Sequence, residues 1–363
     1  MRLRLKGRLL GPVALLAIAA LLLAACGGGN GGNTGNNGGD GGQDGQGASG
    51  EKIRVGLVYD VGGRGDQSFN DMAYAGLEKA LQEFGDRLEV KDAEPDAGGQ
   101  NREELLRTFA EQGYDLVIGV GFLFTDPLTK VAKEYPDVNF AIVDSCTTEP
   151  LDNAACLLFK EHEGSFLVGA AAALKTKTGK VGFVGGMKSP LIEKFEAGYR
   201  AGAKYVNPEV EVLVDYVGTT GEAFNNPTKG RELALAQIQK GADVIYHAAG
   251  GTGRGVFEAV KQQKKLAIGV DADQSLTAPD YADVILTSMV KRVDVAVYDV
   301  VRSVVEGKFQ SGPHEYGLKE DGVGYAINDK NRSMIQDITS QLDELKQKII
   351  DGEIQVPDKP GDV

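Results

Sequence analysis

The residues best placed to do chemistry lie in Asp60-Val61-Gly62-Gly63-Arg64-Gly65-Asp66-Gln67-Ser68-Phe69-Asn70-Asp71, directly after an apolar run. The glycines permit a tight turn, and Ser68 is suited to cap a following helix. Asp60 can accept hydrogen bonds from hydroxyls or amides, and Phe69 offers an aromatic face to a flat ring. A capped turn with a core phenylalanine would use the same residues. Asp271 also closes an apolar run, Ala267-Ile268-Gly269-Val270, and a carboxylate there can accept from two vicinal hydroxyls. Gly251-Thr252-Gly253-Arg254-Gly255 invites comparison with a dinucleotide-binding turn, but position 256 is Val, so the G-x-G-x-x-G spacing fails. His162, His247 and His314 stand in unrelated contexts. His247, at the end of an apolar run, is suited to a structural hydrogen bond. No nucleophile elbow, zinc motif or aspartate cluster is present, so neither catalysis nor a metal or other cofactor is expected.

The elements that must position these residues alternate in type. Val- and Ile-rich runs at 53–59, 88–90, 115–120 and 139–144 are separated by helical segments at 68–84, 101–111 and 127–134. The pattern recurs after an Ala- and Gly-rich helix at 163–174. Strands are expected at 180–185, 210–217, 244–247 and 267–271, with helices at 191–206, 227–240 and 255–263. Such alternation predicts βαβ units with parallel sheets, here in two similar halves. The expected fold is α/β, two doubly wound lobes with their strand-end loops around one cleft. The first lobe would comprise 51–160 plus about 284–310, where a strand and helix cross back. The second would comprise 161–283 plus about 311–352, finished by a strand at 324–327 and a helix at 333–351.

The N-terminus reads as an address. Arg2, Arg4, Lys6 and Arg8 precede an apolar stretch from Leu9 to Leu22, and Leu23-Ala24-Ala25-Cys26 follows. This is the layout of a secretory signal, with too few apolar residues to span a bilayer. It resembles a bacterial lipoprotein signal over 1–25, which implies cleavage before Cys26 and lipidation of that cysteine. Residues 27–50 are almost entirely Gly, Asn, Asp, Gln and Ser. Such a segment cannot offset its chain entropy by burial, which predicts a disordered tether of roughly 25–30 Å. The formal charge is −13, and removal of the leader cations deepens it, which argues against binding nucleic acid or anionic lipid. Cys146 and Cys156, ten apart around a turn-like segment, are expected to form one local disulfide in an exported chain, a pair of buried thiols being the alternative.

Several stretches in order resemble the basic membrane protein family, lipoproteins similar to a purine nucleoside receptor that deliver ligand to ABC importers. They are Gly62-Gly63 with Ser68-Phe69-Asn70 and Gly76-Leu77, Gly121-Phe122 with Thr125-Asp126, Tyr135-Pro136-Asp137, and Phe159 with Glu161 and Gly164. Val181 to Gly186, His247 to Gly253 and Ile268 to Gln274 complete the series. The resemblance implies a type I periplasmic-binding-protein fold closing on a purine nucleoside. It places Asp60, Phe69, Asn70 and Asp126 at the ligand from the first lobe. Phe224, Gly251 and Asp271 would face them from the second, with Lys291 a polar cleft residue, Phe69 and Phe224 on the base and Asp271 on the ribose hydroxyls. The chain departs from the family pattern in about four extra residues between Gly218 and Phe224, and in Asn226 where aspartate is common.

The implied protein is a monomeric, extracytoplasmic, lipid-anchored receptor on the cell membrane, partnered by the permease subunits of an ABC transporter. A receptor for a sugar or an autoinducer-like polyol, a sensor, and an extracellular nucleosidase are the competing readings.

Overall fold

A computed structural model describes residues 52–363. The signal at 1–25, Cys26 and the tether at 27–50 lie outside the described residues. The inner apolar runs become short strands buried on both faces, as parallel strands covered by helices must be. In chain order the first stretch is β1 (Ile53–Val58), α1 (Phe69–Phe84), β2 (Leu88–Ala93), α2 (Arg102–Glu111), β3 (Leu116–Gly119), α3 (Thr125–Glu134), β4 (Asn139–Val143) and β5 (Ala154–Phe159). The next is α4 (Glu161–Lys175), β6 (Lys180–Met187), α5 (Pro190–Val206), β7 (Glu211–Gly218), α6 (Pro227–Gln239), β8 (Val244–Ala248), α7 (Gly253–Gln262), β9 (Leu266–Asp271), α8 (Gln274–Thr277) and β10 (Ile285–Lys291). The chain finishes with α9 (Val293–Val305), β11 (Gly312–Tyr316), β12 (Val323–Tyr325), α10 (Arg332–Ile335) and α11 (Thr339–Ile350).

The strands form two six-stranded sheets with the same winding. Their orders are β2-β1-β3-β4-β5-β11 and β7-β6-β8-β9-β10-β12. All pairings are parallel except β10 with β12. Each sheet is a doubly wound α/β layer of a type I periplasmic-binding fold, so the expected fold class holds.

The crossover is where the expectation needs correcting. The strand at 284–287 was expected to return to the first lobe, but β10 pairs with β9 and stays in the second sheet. The return begins one element later. α9 packs on α1, so closely that a Cβ on Gly76 would lie 2.4 Å from the Asp294 carbonyl oxygen. β11 then joins β5 at the edge of the first sheet, although 311–316 was expected in the second lobe. β12 brings the chain back beside β10. The Gly-Pro-His-Glu-Tyr sequence of β11 hid that strand, because Pro cannot donate to a ladder and is tolerated only at an edge. The expected single helix at 333–351 is α10 and α11 with a break between them.

Core packing explains the Ala- and Gly-rich helix. Eleven of the 15 residues of α4 are buried. Gly198 and Gly202, one turn apart on α5, face it: a Cβ on either would fall about 2 Å from the His162 or Phe166 carbonyl oxygen. The helices therefore meet backbone to backbone. The Gly251–Gly255 turn has a similar cause, since a Cβ at Gly255 would lie 1.8 Å from the Pro227 carbonyl oxygen. Cys146 and Cys156 are disulfide-bonded with Cα atoms 4.8 Å apart, closing the β4–β5 connection.

Candidate ligand-binding cleft

Asp60 lies two residues beyond β1 of the first sheet, and its loop is built around a neighbouring carboxylate. Asp66 Oδ1 accepts from the backbone N–H groups of Ser68 and Asp71, and Oδ2 from the N–H of Asn70 at 2.8 Å and from its side-chain amide. Asp66 thus satisfies the first N–H groups of α1. Ser68, expected to do this, makes no capping bond. Its hydroxyl instead crosses to the other lobe, donating to Asp271 Oδ2 at 2.7 Å and to the Val270 carbonyl oxygen at 3.2 Å. Asn70 lines the cleft, but its carbonyl already accepts from the Asp60 N–H at 2.9 Å. It orders the loop as well as facing the cavity.

From the second sheet come Asp271, the last residue of β9, and Lys291, the last of β10. Both are buried. Lys291 Nζ lies 2.6 Å from Asp144 Oδ2 in the first lobe and 3.8 Å from Asp271 Oδ1. Three aromatic rings surround it, with centroids 4.6 Å away for Phe69 and 5.4 Å for Phe159 and Phe195. Burial alone would lower its pKa, but the Asp144, Asp271 and Glu161 carboxylates outweigh burial and hold it above the ordinary lysine value. Burial raises Asp271, against the pull of Lys291 and Ser68. Burial also pushes Asp60 up to about 6. A fixed cation among carboxylates and rings is a preorganised polar floor.

Above this floor lies a cleft with about 500 Å³ of atom-free space, the solvent at its mouth included. Its walls include the rings of Phe69, Phe122, Phe195 and Phe224, with Asp60, Asp66, Asn70, Asp144, Asp271 and Lys291 as polar groups. Phe122 and Phe224 meet across the lobes edge to face, centroids 6.3 Å apart. Phe224 closes a 3₁₀ turn, Gly221–Phe224. The Phe224 ring is seated on the bare backbone at Gly186, where a Cβ would be 2.4 Å from it.

Of the sequence-predicted residues, Asp60, Phe69, Asn70, Phe224, Asp271 and Lys291 converge on this cavity. Asp126 does not. It is exposed in the first turn of α3, where a carboxylate favours the positive end of the helix dipole. Gly251 is buried just behind the wall, and its neighbour Gly250 lines the cavity instead. Sequence reasoning missed Asp144, Phe122 and Phe195. Asp144 carried a usable signal, because Phe140-Ala141-Ile142-Val143-Asp144 ends as the Asp271 strand does. His247 is fully buried, its Nε2 2.9 Å from Gln274 Oε1, and burial lowers its pKa to about 4. It is a neutral structural group outside the cavity wall. Among the described residues no group of three His, Cys, Asp or Glu could hold a metal ion, and no helix is long and apolar enough to cross a membrane.

Comparison with known proteins agrees with this architecture. The family profile described as ABC transporter substrate-binding protein PnrA-like (Bmp) matches residues 53–360. The chain is 42% identical to the CD4+ T-cell-stimulating antigen of Listeria monocytogenes, covering 86% of this chain and 90% of that protein. It is 36% identical to the ABC transporter nucleoside-binding protein BmpA of Lactococcus lactis, covering 85% and 90%. An uncharacterized lipoprotein of Pyrococcus furiosus is 43% identical over 76% of this chain and 70% of that one. A crystal structure of an ABC transporter solute-binding protein from Aeropyrum pernix superposes with a TM-score of 0.74 at 36% identity, covering 84% of this chain and 94% of that one. The chain belongs to the Bmp family of PnrA-like ABC transporter substrate-binding proteins.

Proposed function

We propose that this substrate-binding protein takes a purine nucleoside between its lobes. The supporting observation is the composition of the cavity: aromatic rings from both lobes stand over a floor of carboxylates and one lysine. A flat base stacks on Phe69 and Phe224, a contact worth roughly 1–3 kcal/mol per base by alanine substitution. Asp271 accepts from vicinal ribose hydroxyls, with Lys291 beside it. Asp60, Asn70 and Asp144 supply the first-lobe polar contacts. The Lactococcus relative is named a nucleoside-binding protein, which favours the same ligand. Asp126 and Gly251 are not assigned to the ligand.

The receptor acts as a monomer. A lipid on Cys26 holds it at the extracytoplasmic face, where the closed form meets the permease subunits of an importer. It binds and releases its ligand unchanged. Binding stabilises the folded protein by RT ln(1 + [L]/Kd), so a thermal-shift screen tests the reading. Guanosine, inosine or adenosine should raise the melting temperature. No response to any of them, with a rise on adding a pentose, would replace the nucleoside by a sugar.

A further inference from the structure

One buried cation beside the cleft has no part in the contacts above. Arg102 opens α2 and is only 9% exposed. The place is unfavourable for it, because the positive end of a helix dipole repels a cation. Its Nε and Nη2 are also sealed from solvent with no hydrogen-bond partner among the described residues, a desolvation cost with no matching bond. What holds it is specific. Nη1 donates to the Gly99 carbonyl oxygen at 2.9 Å, and the guanidinium lies 5.5 Å from the centroid of Phe124. Gly99 suits this contact, since its φ of +64° disfavours other residues and a Cβ there would sit 2.2 Å from Nη1 and displace the guanidinium. Nη2 then reaches 3.5 Å from Asp60 Oδ1, an ion pair without hydrogen-bond geometry.

Two cations divide three of the cleft's carboxylates between them: Lys291 lies against Asp144 and Asp271, and Arg102 against Asp60. We propose that Arg102 is a positioning residue that keeps the Asp60 carboxylate charged and aimed into the ligand cavity, an inference that rests on the cavity being the nucleoside site. The groups acting on Asp60 can be named. The Val61 N–H donates to Oδ1 at 2.7 Å, Asn70 accepts from its backbone N–H, Asp144 faces it from the end of β4 as a like charge, and Arg102 faces it from α2. Burial and Asp144 push the carboxyl up to about 6, while Val61 and Arg102 hold it down. Without Arg102 the balance tips toward the protonated acid, which loses one acceptor oxygen. Affinity that needs ionised Asp60 is lost as pH falls through its pKa, and removing Arg102 moves that loss to higher pH.

The first test needs no ligand. The carboxyl ¹³C resonance of Asp60, assigned with Asp60→Asn, is titrated by NMR in the wild type, Arg102→Gln and Arg102→Lys. The expected midpoint rises by about one pH unit or more in Arg102→Gln and stays near the wild type in Arg102→Lys, which restores the charge. Arg102→Met, which keeps the apolar stem, substitutes if the glutamine variant does not fold. An unchanged midpoint in the uncharged variant overturns the proposal. The second test is calorimetry with inosine. Arg102→Gln is expected to lose about twofold in affinity near pH 7 and about tenfold near pH 5, to recover it at alkaline pH, and to add nothing to the loss in Asp60→Asn. An equal loss at acid and alkaline pH, or full additivity, overturns it. If the wild type binds no purine nucleoside, the nucleoside reading fails while the titration still decides the role of Arg102.

Discussion

Asp144 and Asp271 occupy the same place in the two halves of the molecule. Each ends the fourth strand of its sheet, has a left-handed backbone (φ 66° and 62°), and faces Lys291. Non-glycine residues in that conformation cost of order 1–3 kcal/mol and persist only where the surroundings impose them. The repetition therefore marks both strand ends as built to project a carboxylate into the cleft. Their partners differ. Asp271 takes the Ser68 hydroxyl across the lobes and stands 3.8 Å from Lys291. Asp144 takes Lys291 directly at 2.6 Å and leaves Oδ1 without a hydrogen-bond partner among the described residues. One repeated strand end thus ties the lobes through a neutral hydroxyl, and the other through a charge with an acceptor to spare. Fold position alone does not assign a role; the partner set does.

Four perturbations would break or sharpen this contrast. The largest effect is expected from Lys291→Met, which leaves Asp144, Asp271 and Glu161 buried without their shared cation. Removing one partner of a buried charge pair costs ~3–5 kcal/mol, so the melting temperature should fall by several degrees and nucleoside binding should vanish from calorimetry. A variant with normal stability and affinity would show that the carboxylates do not depend on this lysine. Next comes Asp271→Ala, expected to weaken nucleoside affinity by roughly a hundredfold, the ~3 kcal/mol of hydrogen bonds to a charged group, while circular dichroism stays unchanged. Equal, additive losses from Asp144→Ala and Asp271→Ala would make the two strand ends interchangeable and dissolve the contrast.

Ser68→Ala should cost less, about 1.5 kcal/mol or roughly tenfold in affinity, because one cross-lobe hydrogen bond to the Asp271 carboxylate is lost. Its effect should disappear in an Asp271→Ala background, since both act through the same contact. The smallest effect concerns pH. Glu161 is fully buried with neither oxygen hydrogen-bonded among the described residues, and burial raises its pKa from 4.5 to about 7. A carboxyl raised in the folded state contributes stability that is complete below its unfolded pKa and is lost as pH rises through about 7. Glu161→Gln should therefore flatten the decline of melting temperature between about pH 5 and 8. An unaltered slope would assign that decline to other groups.

Much of this was legible in the sequence for local reasons. Val- and Ile-rich runs between amphipathic segments gave the alternation of strands and helices, and the carboxylate at the end of an apolar run marked Asp60 and Asp271. Asp144 carries the same mark and went unassigned. Phe195 and Arg102 were hidden because their roles depend on which face a helix turns toward a distant strand, a relation that spacing along the chain does not encode. Sheet membership was hidden for the same reason. β10 reads identically whether it joins the first sheet or the second, and β11 lacks an apolar period altogether. Asp126 misled because a carboxylate before a proline fits a helix start as well as a ligand contact, and the structure realises the former.

The most direct test of nucleoside binding is titration calorimetry of the folded protein with inosine, since the chain has no Trp to report binding by fluorescence. The expected result is saturable one-to-one binding in the wild type that is roughly a hundredfold weaker in Asp271→Ala. Absence of binding heat with inosine, guanosine and adenosine alike, from protein whose melting temperature a pentose raises, would contradict it.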